Sequence, residues 1–173
     1  MSRAHPLLSL RRAPAALLVI ASAAGLAGCS PRIDVKQALE VTDVVTGWYD
    51  AGLVEGHKNK LVPSVTFRIK NVSNETVTYV QFNAVFRVVG DVQELGSKLV
   101  RGIGGDGLAP GQYAGPYTLQ SDLGYTGEQP RVEMLQHGQF KDAQVEIFAK
   151  HGSDQWVKLS GVNITRQLLA AKK

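Results

Sequence analysis

Residues 64–71, SVTFRIKN, alternate without a break: Val65, Phe67 and Ile69 take one face, and Ser64, Thr66, Arg68 and Lys70 the other. A period of two carried by β-branched and aromatic residues predicts a strand with one face in a core. The run VTYVQFNAVFRVVG, 77–90, repeats the pattern, with Val80, Phe82, Ala84, Phe86 and Val88 on one face and Tyr79, Gln81, Asn83 and Arg87 on the other. Between them NVSNET, 71–76, is turn chemistry, because short Asn and Ser side chains bond their own backbone. Together the two runs predict a hairpin with one buried face.

Weaker patterns fill in the rest. Residues 40–49 read as an opening strand and 94–100 as an edge strand, while LAPGQ, 108–112, is a Pro-Gly turn feeding a strand through Leu119. Ala143, Val145, Ile147 and Ala149 alternate with Gln144, Glu146 and Lys150, and residues 155–162 pair back across the turn HGSD. About seven strands at turn-punctuated spacing, without strand–helix alternation, predict one all-β antiparallel sandwich over 38–165. Only 165–173 reads as helical, with 166–173 as a C-terminal tail.

The pattern before residue 38 differs in kind. The first 28 residues hold Arg3, Arg11 and Arg12 and no acidic group, and an apolar run from Ala13 to Gly28 is broken only by Pro14 and Ser22. A basic start, a short apolar middle and small residues at the end predict a secretory signal peptide over 1–28. Its end, Leu26-Ala27-Gly28-Cys29, resembles the lipobox of bacterial lipoproteins. That resemblance implies cleavage between Gly28 and Cys29, acylation of the Cys29 thiol, and a membrane held through that lipid, with 29–37 as a short tether. Ser30 at the following position implies the outer membrane by the same resemblance, on its periplasmic face. Cys29 is the only cysteine in the chain, so the domain is expected to stand without a disulfide.

Charge narrows the partners. The 173 residues carry 19 basic and 15 acidic groups, and three of the basic ones leave with the signal. A nearly neutral mature chain with scattered lysines and arginines lacks the clustered basic face of a nucleic-acid binder, so no nucleic acid is expected as partner.

FRIKNVSNETVTYVQFNAVFRVVGD, 67–91, followed by LAPGQ, resembles the FxLYD-type and related immunoglobulin-like domains of bacterial envelope proteins. It departs from them at Arg87 and Val88, where that family carries a Tyr-Asp pair. The resemblance implies an immunoglobulin-like sandwich that serves as a binding or scaffolding module with a protein partner in the envelope. A carrier of a small envelope ligand, glycan or lipid, is the alternative.

Candidate chemistry is sparse. GIGGDG, 102–107, has the glycine spacing of dinucleotide loops, but LAPGQYAGP follows where the mechanism needs a helix N-terminus. His57, His137 and His151 lack the neighbouring ligands of recurrent zinc sites. No G-x-S-x-G elbow is present. Neither catalysis, nor a metal, nor a cofactor is expected. The best candidate surface is 113–131, YAGPYTLQSDLGYTGEQPR, read as a long loop region. Tyrosines among Gly, Ser and Gln give broad contact area at low entropic cost. Tyr113 and Tyr117 are expected to cap the core, Tyr125 either caps it too or stands exposed in solvent, and Arg131 completes the candidate binding surface.

Overall fold

A computed structural model of the protein describes residues 33–169; Gly28 and Cys29, with the remainder of 1–32 and 170–173, lie outside the described residues. The described part is an all-β sandwich of nine strands rather than about seven. One sheet holds β1 (Leu39–Val54), β2 (Lys58–Asn71), β5 (Tyr113–Gln120), β6 (Tyr125–Gly127) and β9 (Leu168–Leu169), in the order β5-β2-β1-β9, with β6 also on β2. The other holds β3 (Val80–Val88), β4 (Glu94–Ile103), β7 (Ala143–His151) and β8 (Val157–Asn163), in the order β4-β3-β7-β8. Pairing among these strands is antiparallel except between β1 and β9.

The alternation records which faces are buried. Val65, Phe67 and Ile69 of β2, Val80, Phe82, Ala84 and Phe86 of β3, and Ala143, Val145, Ile147 and Ala149 of β7 are all fully buried. Phe67 meets Phe82 edge-on across the gap at 5.9 Å, and Tyr117 lies against both at 5.7 and 5.4 Å.

The expected hairpin of β2 and β3 does not form, because the two strands lie in opposite sheets. Their buried faces look at each other instead of lying side by side. The turn between them seals one end of the sandwich. Asn71 Nδ2 donates to the carbonyls of Glu75 and Leu108, both at 2.7 Å, and Asn71 Oδ1 accepts from Ser73 N and Oγ. A bridge between Val77 and Leu108 then hands the chain to the second sheet.

Three other boundaries move. Residues 35–37, assigned to the tether, belong to α1 (Val35–Ala38), which Asp34 caps by accepting from Lys36 N at 3.0 Å. Val35 and Ala38 are buried in the core, so packing begins inside the expected tether. The stretch 113–131 is not a loop but two strands and the start of α2 (Arg131–Gln136). The expected helix from residue 165 is, as far as it is described, the strand β9. Thr46 Oγ1 accepts from Thr165 N at 3.0 Å, Gln167 Nε2 donates to Thr46 O at 2.7 Å, and Trp48 N donates to Gln167 O at 2.8 Å. The described part of the segment read as a tail is a strap laced to β1.

Candidate functional site

Opposite the end that α1 closes, the sandwich is finished by an aromatic cluster. Trp48 of β1 is fully buried, and the rings of Phe140 and Tyr125 lie 4.7 and 5.5 Å from it. Tyr125 and Phe140 are themselves 4.6 Å apart. Tyr125 reaches this place because β6 pairs with β2, setting Tyr125 opposite Leu61. Its hydroxyl donates to Lys141 O at 3.2 Å, and burial pushes its pKa up. The Trp48 indole N–H finds no acceptor among the described residues.

Arginines lock the surrounding segments. Arg131 Nε stands 2.6 Å from Asp50 Oδ2, joining the first residue of α2 to β1, and the Arg131 guanidinium holds the Asp50 carboxyl below its usual range. Arg166 bonds Asp142 Oδ1 at 2.6 Å, donates to the carbonyls of Phe140 and Leu135, and lies 5.2 Å over the Phe140 ring. The segment 135–142 is thereby fixed as the floor of this end.

Above that floor runs a groove of about 230 Å³ lined by Tyr125, Thr126, Gln129, Met134, His137 and Gln139, with Phe140 at its base. It offers one imidazole, two amides and a hydroxyl around an aromatic and thioether base. Such a set suits hydrogen-bonded contact with a polypeptide side chain. Asp50 is already occupied by Arg131. Among the described residues no three His, Cys, Asp or Glu side chains lie where they could hold one metal ion.

The four surface candidates fare differently. Tyr125 lines the groove with its ring packed in the cluster, so it is a rim residue rather than a free anchor. Arg131 is engaged by Asp50. Tyr117 caps the core, its hydroxyl donating to Gly102 O at 2.8 Å, and burial raises its pKa. Tyr113 does not cap the core: it is half exposed, with Lys70 Nζ 5.5 Å from its ring centre. Met134 and Phe140 were not singled out from sequence and His137 was weighed only as a metal ligand, although Pro130 before and Gly138 after RVEMLQ are ordinary helix punctuation. GIGGDG ends β4 and leads to the bridge at Leu108, not to a helix.

No family model and no curated protein matches the chain. A Northeast Structural Genomics Consortium target solved by X-ray crystallography is 14% identical, with a TM-score of 0.40 over 80% of this chain and 95% of that one. A crystal structure provisionally assigned as the ApaA protein of Bordetella pertussis is 17% identical, with a TM-score of 0.36 over 74% and 93%. Likeness at that level carries no argument about this chain.

Proposed function

We propose that the protein is a bacterial lipoprotein, acylated on Cys29 and held on the periplasmic face of the outer membrane. Its sandwich is a non-enzymatic binding or assembly module for a protein partner in the cell envelope. The basic start, the apolar run and LAGC support the anchor, and two or more acyl chains hold a protein where one does so only marginally. The observation that carries the module reading is the filled interior. Phe67, Phe82, Phe86 and Trp48 occupy the space between the sheets, which leaves the surface as the place for recognition. The far-end groove is smaller than the roughly 300–1,000 Å³ typical of small-molecule sites. Depressions of about 490 and 500 Å³ beside α1 and α2 fall within that range and are where a small envelope ligand would sit under the alternative reading.

Two experiments test the reading. Cys29→Ser is expected to abolish incorporation of labelled fatty acid; persistent labelling refutes the anchor. Tagged wild type cross-linked in native membranes is expected to co-purify with a stoichiometric protein that Thr126→Arg, an exposed change in the groove, loses while its melting curve is unchanged. Recovery of both forms without a partner overturns the assembly reading and turns the search to bound glycan or lipid.

A further inference from the structure

Two exposed aromatic residues sit at the α1 end of the sandwich, opposite the groove. Tyr79, just before β3, is 63% exposed and has φ 51°. That left-handed conformation is one that a side chain of this bulk rarely adopts. Neighbouring loops pin it: Tyr79 N donates to Gly104 O at 3.2 Å, and Gly152 N donates to Tyr79 O at 2.9 Å. The tip of the ring rests on the loop at Gly105, yet the residue stays largely exposed; strain maintained by the surroundings at such a place points to use. Trp156, just before β8, is 40% exposed, and Lys150 Nζ lies 5.8 Å from its ring centre. Because β3, β7 and β8 are neighbours, the two residues are about two strand spacings, or roughly 10 Å, apart.

The chain's entry lies at this same end. Ile33 and Asp34 share a surface depression with His151, Ser153, Asp154 and Gln155 of the β7–β8 turn. Cys29 precedes Ile33 by four residues, a reach of at most about 14 Å. The headgroup layer on each side of a bilayer is about 5–7 Å thick. A domain on so short a lead stays within touch of that layer.

We infer that the α1 end is a lipid-facing seat, with Trp156 and Tyr79 placed at the headgroup level and Lys150 and Arg101 beside them. The inference rests on the acylation of Cys29 proposed above. Indole and phenol rings favour the membrane–water interface, and a lysine stem covers apolar surface while its ammonium meets phosphate. Asp34, Glu75 and Asp106 are exposed at the same end, and Asp154 lies 3.4 Å from His151. Mixed charge makes ring partitioning the main attraction, so the seat forms on zwitterionic lipid.

The test uses the full acylated protein, purified from membranes and reconstituted in phosphatidylcholine vesicles with plain or brominated acyl chains. Trp48 is shielded in the core, and comparison with Trp156→Phe isolates the emission of Trp156. That emission is expected to shift to shorter wavelength and to lose most of its intensity in brominated vesicles, relative to Cys29→Ser protein in buffer. Tyr79→Ala is expected to weaken the quenching; undiminished quenching overturns the part assigned to Tyr79. Protein that floats with vesicles while Trp156 emits as it does in water overturns the seat and leaves the anchor standing. Wild type that neither takes up labelled fatty acid nor floats overturns the anchor, and the seat falls with it.

Discussion

A methyl group on residue 102 would collide with an aromatic ring, since a Cβ built there lies 2.1 Å from Phe82 Cε2. At residue 105 a Cβ would lie 2.9 Å from the Tyr79 hydroxyl, the far end of an exposed side chain that can give way. Gly102 of GIGGDG therefore serves a ring, Phe82 inside the core, and not a phosphate. Gly102→Ala is expected to destabilise the domain by about 1–3 kcal/mol through overpacking. The smaller side chain of Phe82→Leu in the same molecule is expected to recover part of that loss. Chemical denaturation of the three forms measures both effects, and a neutral Gly102→Ala would mean that the Phe82 ring moves freely.

Elements with a steady buried face were legible from sequence, and the rest for physical reasons were not. In β3, β7 and residues 65–71 of β2 every second side chain enters the core, and the period of two survives in the residues. Ser64, read on the polar face, is instead buried in a run of five buried residues, 61–65. β1 carries register irregularities between Thr42 and Val45 and between Asp50 and Leu53, which break the period and hid its last five residues. β9 is two residues long and exists because the edge of β1 lies open to it. Alternation fixes a face but not a partner sheet, hence the missing hairpin. Tyr125 could not be placed because its neighbours Trp48 and Phe140 come from distant parts of the chain.

Ion pairs then tie these elements together. Asp50–Arg131 joins β1 to α2, Asp142–Arg166 joins the strap to the start of β7, and Glu146 on β7 pairs with Arg87 of β3 and Lys158 of β8. Hydrogen bonds from Arg131, Arg166 and Lys158 respectively hold all three carboxyls below their ordinary range. A depressed carboxyl contributes stability that is complete above its unfolded pKa, here above about pH 5, and is lost as pH falls through the folded value. The melting temperature is therefore expected to be flat from about pH 7 to 5 and to fall below about pH 4. Asp50→Asn and Glu146→Gln are expected to flatten that acid limb, and added salt to shrink it, since the pairs are partly solvated. An acid limb unchanged in both variants would show that other carboxylates set it.

At the scale of the whole molecule the two ends have different characters. The α1 end carries the exposed aromatic residues and the chain's entry; the other carries the groove. From Asn71 to Leu61, opposite Tyr125, β2 runs ten residues, a separation of roughly 30 Å at the usual rise per residue. In the proposed seat the groove would therefore stand well clear of the lipid.

The strap along β1 also sets a clock. Thr46 and Thr165 are 119 residues apart, yet each needs the other to satisfy its hydrogen bonds. Until the segment 119 residues beyond Thr46 arrives, the edge of β1 that it covers stays bare. Throughout that interval its edge is an open template for strands of other chains. Folding of β1 is thus a race between residues 165–169 and the strands of neighbouring chains.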